Sequence, residues 1–311
     1  MLPSLLVANP QVQSIWFALR RLLQNRRVLA IASDQRLVCC WQERGLWHWR
    51  SGLWPSDSIR DGQPLQRDAI ADLLAELLFD CDVVGAQLEL VLPLQASHWR
   101  VLEGVAPEPP MDSDELLAIA TDLNWSLDAS DSYVAIAPCV DQMLLVGCPR
   151  SLLQAWVDVV EMSDLPLRRV DWIVTSVQRG LMLEQPEWSG DVALVFEDAS
   201  SYRLVVIRAG IPELDCRFRL NDDQDLVVEL RRRVAAWQAL SGSAPPLAWC
   251  LCLPQEMLTM LEPLIDPDRG ETSFGADVPW MPKAVTADDE AQGLLPLERL
   301  ALQGMREDIY R

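Results

Sequence analysis

Residues 28–50 read VLAIASDQRLVCCWQERGLWHWR, and residues 191–219 read DVALVFEDASSYRLVVIRAGIPELDCRFR. Each stretch holds three apolar runs that are separated by two short polar or glycine-containing turns, a pattern typical of three consecutive antiparallel strands. A helical apolar pattern and then a short apolar strand pattern follow each stretch. We therefore predict an α/β fold in which one unit, a three-stranded antiparallel set followed by helix–strand–helix elements, occurs twice.

The repeated unit also sets the predicted boundaries. We predict an N-terminal extension over residues 1–27, a first domain over residues 28–183, a second domain over residues 184–265, and an irregular acidic segment with a short final helix over residues 266–311. The sequence pattern of residues 93–141 differs from that of the rest of the first domain, because short strands, a proline-rich loop and a helix alternate there. This stretch predicts a small α+β insertion.

Composition and charge exclude several classes of protein. Half of the 311 residues are hydrophobic, but no stretch approaches the roughly 18–20 unbroken apolar residues of a membrane-spanning helix. The formal net charge is -20, which disfavours contact with nucleic acid and with anionic lipid. We therefore expect an acidic protein that neither binds nucleic acid nor spans a membrane.

The sequence lacks the motifs of the common catalytic and metal sites. It contains no GxxxxGK[ST], no GxGxxG and no GxSxG segment, and no CxxC pair occurs among its 8 cysteines. Its 2 histidines, His48 and His98, lie beside tryptophans in strand-like runs. Most paired carboxylates fall at helix starts or in loops, where capping and solvation explain them. We therefore predict no catalytic residue, no metal site and reduced thiols in a cytoplasmic protein.

A resemblance to a known family follows from the order of elements. Three strands, helix, strand and helix, used twice, is the order of the actin-like, or ribonuclease-H-like, fold. Residues 142–183 give an apolar strand, Arg150, a helix, the Asp164–Leu165 turn, a strand ending at Asp171 and a crossing helix. In this pattern the chain resembles PilM-like proteins of type IV pilus assembly, whose relatives include MshI, GspL and FtsA, over residues 28–264.

The chain departs from this family where the family binds phosphate. The resemblance implies an Asp-x-Gly turn at each of two phosphate loops and a glycine run after the late strand, whereas residues 251–255 read LCLPQ and no glycine occurs in either turn. Side chains at such positions obstruct the close approach of the backbone to a nucleotide. The positions of this degenerate nucleotide site are Ser33, Asp34, Gln35, Asp198, Ser200 and Ser201.

Two functions follow from the resemblance. The first is a non-catalytic cytoplasmic scaffold of type IV pilus assembly, in a competence or twitching pilus, that lies at the inner membrane through its partners. It would bind the cytoplasmic tail of a PilN-like membrane protein and other pilus assembly proteins, with no cofactor, because the missing glycines disfavour ATP and Mg²⁺. The alternative is an actin-like ATP-binding protein with ATPase or kinase activity, in which Ser33 or Ser200 contacts the nucleotide and Asp34 or Asp198 holds magnesium through water.

Overall fold

The computed structural model describes residues 27–33, 35–43, 46–80, 83, 86–103, 113–122, 127–139, 142–184, 192–198, 201–221, 225–242, 246, 248–253, 257, 279–280 and 294–305. The predicted N-terminal extension lies almost wholly outside these residues, and so does most of the predicted acidic C-terminal segment. The strands are β1 (Arg27–Ala32), β2 (Arg36–Glu43), β3 (Leu46–Leu53), β4 (Ile59–Arg60), β5 (Gln63–Pro64), β6 (Gln87–Leu92), β7 (His98–Glu103), β8 (Ser132–Cys139), β9 (Gln142–Pro149), β10 (Leu167–Trp172), β11 (Val192–Asp198), β12 (Ser201–Arg208), β13 (Ile211–Phe218), β14 (Ala248–Cys252) and β15 (Pro279–Trp280). The helices are α1 (Arg67–Asp80), α2 (Ser113–Asp122), α3 (Arg150–Met162), α4 (Ile173–Glu184), α5 (Leu226–Ser241) and α6 (Pro296–Gly304).

The first sheet has the strand order β10-β6-β1-β2-β3. Its central strand β1 pairs antiparallel with β2 and parallel with β6, and β6 pairs parallel with β10. Residues 28–32 of β1 are all buried, which explains why this strand is a continuous apolar run instead of an alternating one. Helices α1 and α3 contact each other and supply buried side chains to the same core.

The second sheet repeats this topology with the order β13-β12-β11-β14-β15. Strand β11 pairs antiparallel with β12 and parallel with β14, and residues 192–196 are buried as their counterparts in β1 are. Leu226, Leu230 and Trp237 of α5 lie in the core that this sheet forms. The predicted duplication of an α/β unit is therefore confirmed.

A smaller third sheet has the order β7-β9-β8. Helix α2 packs on one side of it, where Leu116 and Leu117 contact Leu145. Because β9 is the central strand, this inserted sheet extends beyond residues 93–141 to the end of β9. Both β7 and β8 pair with β9 alone in the described sheet, so each leaves one edge for further pairing.

Helices α4 and α6 form the contact between the two large sheets. Each of them follows the strands of one sheet, and their backbones approach closely where Gly180 of α4 meets Gly304 of α6. An ion pair of 2.9 Å joins Arg299 of α6 to Glu184 of α4. The side chains of Leu300 and Ala301 are fully buried at this contact. The final helix is thus a structural part of the molecule's centre.

One ion-pair cluster makes a pH-dependent contribution to stability. On α5, Arg232 donates to both carboxylate oxygens of Glu229 at 2.8 and 2.7 Å, and Arg233 lies 2.7 Å away. The hydrogen bond from Arg232 is the largest cause that lowers the pKa of Glu229 to about 2, and burial opposes it. A carboxylate whose folded-state pKa is depressed stabilises the fold above its ordinary value of 4.5 and loses this contribution as pH falls towards 2.

We therefore expect Glu229→Gln to lower the free energy of unfolding at pH 7 and to have a progressively smaller effect as the pH falls from 5 to 3. Urea unfolding of the wild type and the variant across this range measures the difference. The same substitution at Glu161, which is exposed on α3, serves as the control. A difference for Glu229→Gln that stays constant with pH would contradict the assignment.

Candidate functional site

A cavity of about 260 Å³ lies at the carboxyl ends of β1, β11 and β14, between the two large sheets. We call it the central cavity. Open α/β sheets bind their ligands at the carboxyl ends of parallel strands, which makes this the candidate functional site. Its described lining consists of Ser33, Gln35, Leu94, Ile173, Glu197, Cys252, Leu253, Leu295, Pro296 and Leu297.

The walls of the central cavity are mainly apolar. Leu94 and Ile173 come from the first half of the chain, Leu253 follows β14, and Leu295 and Leu297 come from the start of α6. Four of these five side chains are buried and belong to the surrounding cores. Such walls solvate an apolar group well and a polyphosphate poorly.

The first predicted loop lies at the cavity, and the polar groups of Ser33 are already hydrogen-bonded. The Ser33 hydroxyl donates to the Arg36 carbonyl at 3.0 Å and accepts the Arg36 N–H at 3.3 Å. The Trp54 indole donates to the Ser33 carbonyl at 2.8 Å. Ser33 is therefore engaged within its own turn, and of the described residues of this turn the exposed Gln35 side chain remains at the cavity.

The second predicted loop contributes less. Asp198 and Ser201 are backbone partners at the turn between β11 and β12, and the Ser201 hydroxyl accepts a hydrogen bond of 2.7 Å from Arg217. Asp34 and Ser200 lie outside the described residues, as does the side chain of Asp198. The structure thus brings Ser33 and Gln35 together at the central cavity, and the nucleotide-site role of all six predicted positions stays a prediction.

Glu197 is the charged side chain in the described lining of the central cavity. Burial raises the pKa of its carboxyl above the ordinary value. Within the described part of the chain it has neither a hydrogen-bond partner nor an ion-pair partner. In the sequence it is one acidic residue at the end of an apolar strand, and only its position on the cavity wall distinguishes it.

The start of α6 carries its own anion beside the cavity. The Glu298 side chain is 0% exposed, and its carboxylate accepts the Leu295 N–H at 2.8 Å. The Arg36 guanidinium of β2 donates to both of its oxygens, with Nε at 2.8 Å from Oε1. This bidentate pair connects the first sheet to the final helix across 262 positions of the sequence. Sequence reasoning missed it.

Arg203 of β12 makes a second connection between the two halves. Its guanidinium lies 2.7 Å from one oxygen of Asp215, donates to the Leu94 carbonyl, and stands over the rings of Trp99 and Trp172. Leu94 also lines the central cavity. Together with the pair between Arg36 and Glu298, this contact holds the two sheets against each other on either side of the cavity.

The described residues offer no metal centre. Within them, no group of three or more His, Cys, Asp or Glu side chains comes together in a way that could hold a metal ion. In the same part of the chain, no helix is both long and apolar enough to cross a membrane.

Comparison with known proteins identifies the fold. No protein-family model matches the chain, and no curated protein matches it in sequence. Among solved structures, a chain of a PilM-PilN type IV pilus biogenesis complex is similar to it with a TM-score of 0.66 and 13% identity, covering 89% of this chain and 96% of that one. The cytoplasmic domain of EpsL, an inner membrane component of the type II secretion system of Vibrio cholerae, matches with a TM-score of 0.43 and 14% identity, over 74% of this chain and 82% of that one. A Bacteroides thetaiotaomicron protein with an actin-like ATPase fold and unknown function matches with a TM-score of 0.48 and 9% identity, covering 78% of this chain and 87% of that one.

The chain therefore has the duplicated actin-like fold that its sequence predicts. Its resemblance to PilM-like proteins is confirmed at the level of the fold. Nearly the whole of the matched chain is covered, so the similarity is not confined to one of the two repeated units.

Proposed function

We propose that this protein is a non-catalytic scaffold of type IV pilus assembly that binds the cytoplasmic tail of a PilN-like inner-membrane protein. In this proposal it acts at the cytoplasmic face of the membrane and reaches the membrane through its partners. The observation that carries the proposal is that the protein's own side chains pair in the cleft between the two large sheets, where the central cavity lies. Side chains of the protein itself, Glu298 and Arg36, pair with each other across this cleft.

The anion at the start of α6 supports a site without nucleotide. A helix N-terminus attracts phosphate because its first N–H groups are unpaired and its dipole is positive there. At the start of α6 the carboxylate of Glu298 accepts the Leu295 N–H, and Arg36 balances its charge. A phosphate brought to the same place would be repelled by the Glu298 carboxylate.

The remaining polar groups near the central cavity also favour this interpretation. The Ser33 hydroxyl is engaged within its own turn, and Ser201 is engaged by Arg217. Glu197 adds a negative charge that would repel a triphosphate. Binding of a partner, in contrast, requires none of these groups.

A tail-binding role fits the exposed edges and the charge of the molecule. Strands β3 and β8 are edge strands of their described sheets, and an extended peptide can add to such an edge through main-chain hydrogen bonds. The net charge of -20 favours a tail rich in arginine or lysine. The PilM-PilN complex, whose chain shares this fold, supports a PilN-like partner as the first to test.

The alternative function, ATP binding, is tested directly by thermal unfolding of the full chain with and without millimolar Mg-ATP. A site with a dissociation constant of about 10 μM would add about 2.7 kcal/mol of stability at a hundredfold excess of ligand. We expect no upward shift of the melting temperature. A clear shift with Mg-ATP that Mg-AMP does not give would contradict a scaffold without nucleotide.

The tail-binding role is tested with a fluorescent peptide that copies the N-terminal cytoplasmic tail of the PilN-like protein from the same organism. We expect saturable binding to the full chain that is unchanged by Mg-ATP and weaker at high salt, because the protein is acidic. A scrambled peptide of the same composition is the control. Equal binding of both peptides, or none of either, would count against the proposal.

A further inference from the structure

The central cavity combines a lone carboxylate with apolar walls, a combination the scaffold role does not use. Glu197 lines the cavity and has no ion-pair partner among the described residues, whereas the neighbouring Glu298 is paired by Arg36. We propose that the central cavity binds a small organic cation with an apolar body, an alkylammonium by class, and that Glu197 is its counter-ion. This site goes beyond the proposed function and does not depend on it.

The size of the cavity limits the ligand. Its volume of about 260 Å³ corresponds to about nine water molecules at roughly 30 Å³ each. It also lies just below the roughly 300–1,000 Å³ of pockets that enclose drug-sized ligands. A cation with one short hydrocarbon chain fits this space.

The walls select the apolar body of the ligand. Leu94, Ile173 and Leu253 are buried side chains that present hydrocarbon to the cavity, and Leu297 does so from α6. Contact with such walls removes the hydrocarbon part of an amine from water, which is favourable in proportion to the apolar area covered. The walls alone would accept a neutral alcohol equally well.

The charge selects the head group. A carboxylate in partly buried, apolar surroundings loses hydration, and an ionic partner offsets the free-energy cost of that loss best. The raised pKa of Glu197 reports the same loss of hydration. The surrounding charge of -20 further raises the local concentration of cations and lowers that of anions. A cation is therefore preferred over a neutral or anionic molecule of the same shape.

Three probes with six carbon atoms each, hexylammonium, hexanol and hexanoate, separate the contribution of the charge from that of the apolar walls. Titration calorimetry of the full chain at pH 7 is expected to give hexylammonium at least about tenfold tighter than hexanol, and no measurable binding of hexanoate. Glu197→Gln should reduce the preference for hexylammonium over hexanol to less than about twofold. Glu161→Gln removes the same charge from an exposed helix position and should leave the preference intact.

A charge-reversing variant keeps the test decisive even if Glu197→Gln perturbs the fold. Glu197→Lys places a cation at the same wall and is expected to abolish hexylammonium binding while admitting hexanoate. Equal affinity of the wild type for hexylammonium and hexanol would overturn the proposal, and so would a preference that survives both variants. Because no probe carries a phosphate and no peptide is present, the outcome is independent of the ATP and tail experiments.

Discussion

Replacing Gly304 with valine is expected to destabilise the chain by about 3 kcal/mol or more, the upper end for overpacking of a tight contact. A Cβ atom at Gly304 would stand 1.7 Å from the carbonyl oxygen of Ser176 and 2.9 Å from the backbone nitrogen of Gly180. The contact is reciprocal, because a Cβ atom at Gly180 would stand 2.0 Å from the carbonyl oxygen of Leu300. Both helices therefore meet backbone to backbone.

Backbone atoms of two helices cannot rotate away as the end of a side chain can. Valine at Gly304 must push α6 away from α4, and this movement also loosens Leu300 and Ala301, which are buried at the same contact. Alanine in the middle of a helix is favoured over glycine by about 0.5–1 kcal/mol, so helix propensity alone would make Gly180→Ala stabilising. We expect Gly180→Ala to be destabilising nevertheless, because its Cβ overlaps the backbone of α6.

Equilibrium unfolding in urea, followed by circular dichroism, measures both variants. The matched control is Gly242→Ala at the end of α5, where φ is +66° and a Cβ atom meets nothing within 4 Å. This control carries only the cost of the left-handed backbone, about 1–2 kcal/mol. If Gly304→Val lost no more stability than the control, the close backbone contact described between α4 and α6 would be contradicted.

The sequence predicted the fold well because the fold depends on local pattern. Strand β1 is buried on both faces and therefore forms an unbroken apolar run, and the same is true of β11. The crossing helix, predicted over residues 175–183, is present as Ile173–Glu184, and its apolar residues recur at helical spacing. An apolar run and a helical spacing of apolar residues are both set by residues that lie close together in the sequence.

Helix ends were less predictable. Three aspartates at residues 222, 223 and 225 could each cap α5, and the sequence pattern predicts a helix over residues 221–240. The structure uses Asp225, whose side chain accepts the Val227 N–H at 2.7 Å. Each aspartate has the right chemistry for an N-cap, so the choice depends on which turn of the helix packs on the second sheet.

The candidate site could be predicted only in part, because its key contacts join distant positions. Ser33 and Gln35 were found from their place after β1, and both line the central cavity. Glu298 was not found, although a glutamate at the third helical position is a capping signal. Nothing in the sequence indicates that its charge partner is Arg36, because this pairing depends on how α6 is placed against the first sheet.

Glu298→Leu is expected to destabilise the fold by about 3–5 kcal/mol, the range for breaking a buried ion pair from one side. The change leaves Arg36, whose side chain is 17% exposed, without its carboxylate, and it also removes the acceptor of the Leu295 N–H. Arg36→Met is expected to cost a similar amount, because the Glu298 carboxylate would then be buried without a counter-charge.

A double-mutant cycle separates the pair from the cost of burying either charge alone. Arg36→Met/Glu298→Leu removes both charges of the pair, so we expect it to be more stable than either single variant and to recover more than half of the loss. Urea unfolding of the four proteins gives the coupling energy. Glu298→Gln, which keeps the shape and an acceptor for Leu295, should fall between the wild type and Glu298→Leu. Additive single effects would mean that Arg36 and Glu298 do not act together.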